Sequence, residues 1–182
     1  MIQVRLAALA VTMLLAAPAS RAADLRVTIA EYGLYTVDIT SEKLAPDGIM
    51  ETTIANLCHF ATTTTVPLRT GISFGFRYRV DGPVTDEVVM LTKLVEFPRT
   101  VKPPGGVNPL SGIRRPMPSR VGKLVYAGYG LDVDWELMRG RWGFSIYQAD
   151  RKLAEMNFIV AEDADAPASS AKDSTCFKLS SL

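Results

Sequence analysis

A strict alternation of apolar and polar residues near the C terminus constrains the fold of this chain more than any other feature. The alternation runs from residue 131 to residue 160 and is interrupted only by a turn at Arg139-Gly140 and a short polar stretch. A period of two places one set of side chains in a core and the other in solvent. The pattern therefore predicts antiparallel strands, and the residues on their buried face are Leu131, Val133, Trp135, Leu137, Trp142, Phe144, Ile146, Met156, Phe158 and Val160.

Similar strand patterns occur earlier in the chain. They cover residues 25–35, 50–68, 72–80 and 87–97, with turn signals such as Pro46-Asp47-Gly48 between them. No long apolar stripe with a period of 3.6 residues accompanies them. Several short strands separated by turns predict an all-β protein, a single immunoglobulin-like antiparallel sandwich that spans residues 23–163.

The N-terminal 22 residues have the features of a cleavable signal peptide. Arg5 precedes an apolar run over residues 6–17, and Ser20 and Ala22 are the small residues that signal peptidase recognises. The run is shorter than the roughly 20 apolar residues of a membrane span. We expect cleavage near Ala22 and a periplasmic or secreted protein that does not span the membrane.

Charge excludes some classes of partner. Loss of Arg5 and Arg21 with the signal peptide leaves 18 basic residues of the original 20 against 19 acidic ones, a net charge of −1. A nearly neutral chain of this kind gives no reason to expect nucleic-acid binding. Nothing in the sequence predicts a cofactor, and a zinc site would need more His and Cys residues than the chain has.

Two cysteines, Cys58 and Cys176, are expected to meet an oxidising compartment. An even number of cysteines in such a compartment favours a disulfide, although two free thiols are the alternative. The segment 164–182 contains many Ala, Ser and Asp residues and is typical of a flexible tail. A Cys58–Cys176 disulfide would tether this tail to the strand that carries Cys58.

Four short stretches resemble a known family. They are Glu31–Tyr35, Gly71–Tyr78, Glu136–Phe144 and Phe158–Val160. Together they are similar to the bacterial domain-of-unknown-function family 3859, from about residue 25 to residue 160. The resemblance implies an immunoglobulin-like β-sandwich and brings no catalytic residues with it.

The segment 99–120 contains five prolines and three glycines and predicts an irregular loop. Long irregular loops in small domains are often functional. No acidic residue lies between Glu96 and Asp132, so the loop could meet an anionic envelope component or an acidic protein partner. The alternative is a solvated loop that its prolines merely stiffen. The candidate binding residues are Arg99, Lys102, Arg114, Arg115, Arg120 and Lys123.

Three acidic residues, Asp132, Asp134 and Glu136, are predicted to share one strand face. A carboxylate-based hydrolase could use such a face, although a solvated surface paired with Arg77 and Arg79 is the preferred interpretation. The single histidine, His59, follows Cys58 directly. Neighbouring strand residues point to opposite faces, which argues against a Cys–His catalytic pair.

These observations favour a non-enzymatic binding or accessory module of the bacterial envelope. The carboxylate-based hydrolase is one alternative. A structural envelope protein that self-associates through an exposed sheet edge is another.

Overall fold

A computed structural model of the protein describes residues 24–162 and 175–178. Ten strands and one 3₁₀ turn make up this part of the chain, in agreement with the all-β prediction. The elements in chain order are β1 (Arg26–Leu44), β2 (Met50–Ala61), β3 (Thr65–Pro67), β4 (Ile72–Asp81), β5 (Val88–Val101), β6 (Leu110–Arg120), β7 (Leu124–Leu131), the 3₁₀ turn (Asp134–Glu136), β8 (Gly140–Gln148), β9 (Arg151–Ala161) and β10 (Thr175–Lys178).

The strands form two five-stranded sheets. The first sheet has the order β10-β2-β1-β4-β7, and the second has the order β3-β9-β8-β5-β6. Neighbouring strands are antiparallel except for the short parallel pair β3–β9. The edge strands are therefore β10 and β7 in the first sheet and β3 and β6 in the second.

Aromatic side chains join the two sheets at the centre of the core. Phe74 from β4 makes edge contacts with Trp142, Phe144 and Phe158 from the second sheet, with ring centroids 5.4–5.6 Å apart. All four side chains are fully buried. The indole nitrogen of Trp142 donates a hydrogen bond to the Met138 carbonyl oxygen at 3.0 Å, which satisfies the only polar atom of that side chain. The alternation over residues 142–160 thus correctly identified core strands.

The prediction of an irregular loop over residues 99–120 is wrong for most of that segment. Strand β5 continues through Pro98 to Val101, and residues 110–120 form β6, so only residues 102–109 connect them. Proline is tolerated in an edge strand when its missing N–H faces away from the neighbouring strand. Pro116 and Pro118 lie two residues apart on β6, which pairs with β5 alone, and both therefore suit an outward-facing edge.

The predicted acidic strand face is also wrong. Strand β7 ends at Leu131, and Asp134–Glu136 form the 3₁₀ turn. The reason is local: the Glu136 side chain folds back and accepts hydrogen bonds from the backbone N–H groups of Asp132 and Val133. These bonds stabilise a turn in which the three carboxylates cannot lie on one pleated surface.

The predicted pairing of Arg77 and Arg79 with this acidic face is wrong as well. Arg77 instead lies 3.6 Å from the carboxylate of Glu31, and Arg79 pairs with Asp81 at 2.8 Å. Both acidic partners come from the first sheet, as the arginines do.

The two cysteines form a disulfide, as expected. Cys176 lies opposite Cys58 in the β10–β2 pair, so the bond holds the four-residue strand β10 against the first sheet. The predicted signal peptide over residues 1–22 lies outside the described residues, and so does most of the predicted tail over residues 164–182. No helix in the described part of the chain is long and apolar enough to span a membrane.

Candidate binding site

A cleft opens between the edge strands β6 and β7. It consists of two adjoining cavities of about 940 and about 650 Å³ that share Thr52, Ile54, Lys93, Tyr126 and Gly128. We call the first the basic groove, which is lined mainly by Arg77, Lys93, Met117, Arg120, Lys123, Leu124, Phe177 and Lys178. We call the second the hairpin cavity, which is lined by apolar side chains that include Val37, Ile39, Leu44, Ile49, Met50, Ile54, Ile113 and Trp135, by Arg115, and by the four acidic residues Glu42, Glu51, Asp132 and Glu136.

The β1–β2 hairpin forms one wall of the hairpin cavity because its far end is fixed to β6. Arg115 of β6 makes two ion pairs of 2.7 Å each, one with Asp47 in the hairpin turn and one with Glu51 in β2. The guanidinium group has several N–H donors and can serve both carboxylates at once. Arg115 therefore contributes to the shape of the cavity, and its charge is already compensated.

Lys93 lies where the two cavities meet. Its position on β5 is in phase with the buried residues Leu91, Val95 and Phe97, so its side chain points inward rather than to solvent. The ammonium nitrogen donates a hydrogen bond of 2.8 Å to the carbonyl oxygen of Gly128 on the edge strand β7. Within the described residues, no carboxylate lies close enough to form an ion pair with it. Among the described residues, Lys93 is thus a partly buried cation without an ion-pair partner.

The environment of Lys93 lowers the pKa of its ammonium group to about 8. Burial is the main cause, because it disfavours the charged form. The nearby positive charge of Arg115 lowers the pKa further, and Glu51 raises it in part. Lys93 is still mostly protonated at neutral pH and can bind an anion there.

Lys93 should make stability depend on pH in the alkaline range. Its pKa is about 8 in the folded protein and near its ordinary value of about 10.5 in the unfolded chain. The unfolded state therefore binds more protons between these values, and the free energy of unfolding should rise with pH by up to about 1.4 kcal/mol per pH unit. Urea unfolding between pH 7.5 and 10 should show this rise for the native protein relative to Lys93→Met. Parallel curves for the two proteins would contradict the assigned environment.

The basic groove has a strong excess of positive charge. It is lined by five basic side chains and by a single acidic one, Asp86. Asp86 pairs with Lys123 at 3.2 Å, and its carbonyl oxygen accepts a hydrogen bond from Arg120. Four more positive charges than negative ones therefore face the same groove, and the basic residues are Arg77, Lys93, Arg120, Lys123 and Lys178.

The floor of the groove is held together by a buried polar cluster. The guanidinium carbon of Arg77 lies 3.4 Å from the ring centre of Phe177 on β10, and Arg77 pairs with Glu31 at 3.6 Å. Tyr35 is fully buried beside this cluster, and burial together with the Glu31 charge raises the pKa of its hydroxyl well above the usual range. The disulfide-bound β10 thus covers Arg77, which explains why this arginine is buried.

His59 belongs to the same cluster and has a structural role. Its Nε2 atom donates to the Tyr32 carbonyl oxygen at 3.1 Å, and its ring packs against Tyr35. Its Nδ1 atom lies 3.7 Å from Glu31. No nucleophile adjoins the ring in these contacts.

Three of the six predicted binding residues line the cleft, and the other three do not. Arg120 and Lys123 line the basic groove, and Arg115 lines the hairpin cavity. Arg114 points away from the cleft, as expected for a neighbour of Arg115 on a strand, and lies over the ring of Tyr147 at 5.0 Å. Arg99 and Lys102 are exposed and do not line either cavity.

The sequence interpretation did not single out Lys93. A lysine in an alternating strand is usually assigned to the solvent face. Its position in the alternation was the informative signal. Lys93 lies an even number of residues from Leu91, Val95 and Phe97, and therefore on the same face of the strand. Phe177 and Lys178 were missed because their position depends on the disulfide.

Glu136 holds the turn after β7 through hydrogen bonds. Its carboxylate accepts a hydrogen bond of 2.7 Å from the Tyr129 hydroxyl in addition to its two backbone donors. Burial raises the pKa of Glu136, although these three hydrogen bonds oppose the rise. Asp132 lies against Gly130, where burial and Glu42 raise its pKa, and Asp134 is exposed. Asp132 and Glu136 line the hairpin cavity, whereas Asp134 lines neither cavity, so the three carboxylates do not share the strand face on which the hydrolase alternative was based.

Replacing Glu136 with alanine should lower the free energy of unfolding by about 2–3 kcal/mol, since buried donors lose their acceptor. Asp134→Ala is the matched control on the same turn, and an exposed site of this kind should change stability by less than about 0.5 kcal/mol. Urea denaturation of both variants would measure the difference. Equal effects of the two substitutions would show that Glu136 does not hold the turn.

The fold and the cleft define the class of protein: an immunoglobulin-like β-sandwich with a cleft at one open side. The chain matches the family described as Domain of unknown function (DUF3859) over residues 24–160, and it belongs to that family. It is similar to the crystal structure of an immunoglobulin-like protein from Pseudomonas aeruginosa, with 27% identity and a TM-score of 0.53. That match covers 76% of this chain and 97% of the other. No curated protein matches the chain.

Proposed function

We propose that this protein is a non-enzymatic binding module of the bacterial envelope that holds an anionic ligand in the basic groove. The observation that carries the proposal is the position of Lys93, an inward-pointing ammonium group without a carboxylate partner among the described residues, at the centre of a cleft. Sites for small ligands are typically concave and combine apolar walls with a few well-placed polar groups. The basic groove has this composition.

The charge of the groove supports an anionic ligand. Arg120, Lys123 and Lys178 surround the entrance, whereas Lys93 and Arg77 lie deeper. Cationic side chains around a concave site raise the local concentration of anions and strengthen their binding where water is displaced. An export signal over residues 1–22 and a disulfide between Cys58 and Cys176 suit an extracytoplasmic location, where anionic lipids and polysaccharides are available partners.

The sheet edges give less support to self-association, the alternative structural role. Strands β3 and β10 have only three and four residues. Strand β6 carries Pro116 and Pro118, and a carbonyl group on the free edge of β7 is occupied by Lys93. Short edge strands, edge prolines and inward-pointing charges all oppose the addition of a further strand.

Binding of tripolyphosphate, used as a simple polyanion, tests the proposal. A groove variant with Lys93→Met, Arg120→Gln and Lys123→Gln should bind at least about tenfold more weakly than the native protein. The matched control carries Lys102→Met, Arg99→Gln and Arg114→Gln, which remove the same charge outside the cleft and should leave the affinity within about twofold. Calorimetric titration at two salt concentrations measures both. Equal losses in the two variants would contradict a localised site.

A further inference from the structure

The hairpin cavity adjoins the basic groove and concentrates exposed apolar surface. Ten large apolar side chains are exposed in the described part of the chain, and five of them line the cleft. Exposed apolar groups that gather in one concave region mark a binding surface, whereas single ones are ordinary. The five are Ile39, Leu44, Met50, Leu124 and Val133.

The positively charged part and the apolar part of the cleft lie next to each other. The residues shared by the two cavities include Lys93 and Ile54, so the cationic centre adjoins the apolar side chains of the hairpin. Two of the four acidic residues of the hairpin cavity are already engaged, Glu51 by Arg115 and Glu136 by Tyr129 and two backbone N–H groups. Six of the eight residues of β7, from Leu124 to Gly130, line one cavity or the other, and this stretch corresponds to a length of about 20 Å. A ligand of matching chemistry has an anionic end and an extended apolar body.

The ammonium group of Lys93 also limits the type of anion. One of its three N–H donors is used by the Gly128 carbonyl oxygen, which leaves two donors. Two donors suit the two oxygens of a single carboxylate.

We infer that the cleft takes a single-chain carboxylate amphiphile, with the carboxylate at Lys93 and the hydrocarbon chain in the hairpin cavity. This inference rests on the proposed function, since it uses the same groove for the anionic end. The chain would lie along Ile54, Ile39 and Met50, where it would cover apolar surface that is now exposed to water.

Dodecanoate is the probe that tests the inference, with dodecanol and acetate as partial ligands. Dodecanoate should bind with a one-to-one stoichiometry, and both dodecanol and acetate should bind at least tenfold more weakly. Lys93→Met should abolish the preference for dodecanoate over dodecanol. Titration calorimetry of the full mature protein provides all of these comparisons.

A second pair of variants tests the position of the hydrocarbon chain. Ile39→Ser combined with Met50→Ser should weaken dodecanoate binding at least tenfold, whereas Met90→Ser combined with Val107→Ser should leave it within twofold. All four residues are exposed, so the fold should tolerate each pair. Equal binding of dodecanoate by both pairs would overturn the inference.

The outcome with tripolyphosphate separates this inference from the proposed function. If tripolyphosphate binds in a manner that depends on the groove but dodecanoate does not bind, the amphiphile inference fails and the proposed function stands. If neither probe distinguishes the groove variant from its control, both fail. Binding of an acidic peptide at the groove with no binding of dodecanoate would also overturn the inference.

Discussion

Removing the Cys58–Cys176 disulfide is expected to lower the free energy of unfolding by about 2–5 kcal/mol. The two cysteines are 118 residues apart, so the bond closes a long loop in the unfolded chain and removes much of its conformational entropy. The loss should be large for a second reason. Strand β10 pairs only with β2 and has four residues, too few to remain attached without the bond.

Urea denaturation of the double variant Cys58→Ser, Cys176→Ser would measure this effect, and the native protein in a reducing agent should behave in the same way. The variant should also bind tripolyphosphate more weakly, because Phe177 and Lys178 would leave the basic groove. A variant as stable as the native protein would show that β10 is not held in this manner.

Replacing Phe74 with alanine is expected to lower the free energy of unfolding by about 3–5 kcal/mol. Phe74 is fully buried, and its ring contacts those of Trp142, Phe144 and Phe158 in the second sheet. Its removal leaves a cavity between the sheets and also eliminates three edge-to-face contacts.

Phe74→Leu provides a graded comparison, with a loss smaller than that of alanine because more of the volume is kept. Val88→Ala is the control at an exposed strand position and should change stability by less than about 0.5 kcal/mol. Denaturation followed by tryptophan fluorescence would report all three variants. A loss below about 1 kcal/mol for Phe74→Ala would contradict the central position of this side chain between the sheets.

The sequence allowed the strands to be predicted where alternation and burial agree. The pattern over residues 72–80 corresponds to β4, and the pattern over residues 142–160 corresponds to β8 and β9. In these strands one face packs against the core, so the alternation in the sequence reports directly which side chains are buried. The disulfide was predicted only from the expected oxidising compartment and the even number of cysteines.

Two local features could not be predicted from proline content or from alternation. The prolines of β6 indicated a loop, yet β6 is an edge strand and needs no outward N–H groups. The alternation at residues 131–137 indicated a strand, yet the Glu136 carboxylate binds the backbone and forms a turn. In both cases a local rule was overridden by an interaction that the pattern does not encode.

The residues that line the proposed basic groove were predicted only in part for a related reason. Clustering of positive charge along the chain identified Arg120 and Lys123, but it also included Arg99, Lys102 and Arg114, which line neither cavity. A strand separates neighbouring charges onto opposite faces, so charge density along the sequence does not equal charge density on a surface. The groove was completed by residues from β4, β5 and β10.

Mapping the site of polyanion binding by amide chemical shifts tests the central claim most directly. On titration with tripolyphosphate, the largest shift changes should occur in β7, at Lys93, in residues 117–123 and in β10. The basic residues at 99, 102 and 114 should change little, although they carry the same charge. Changes centred on residues 99–114, or spread evenly over all exposed basic residues, would contradict a binding site in the basic groove.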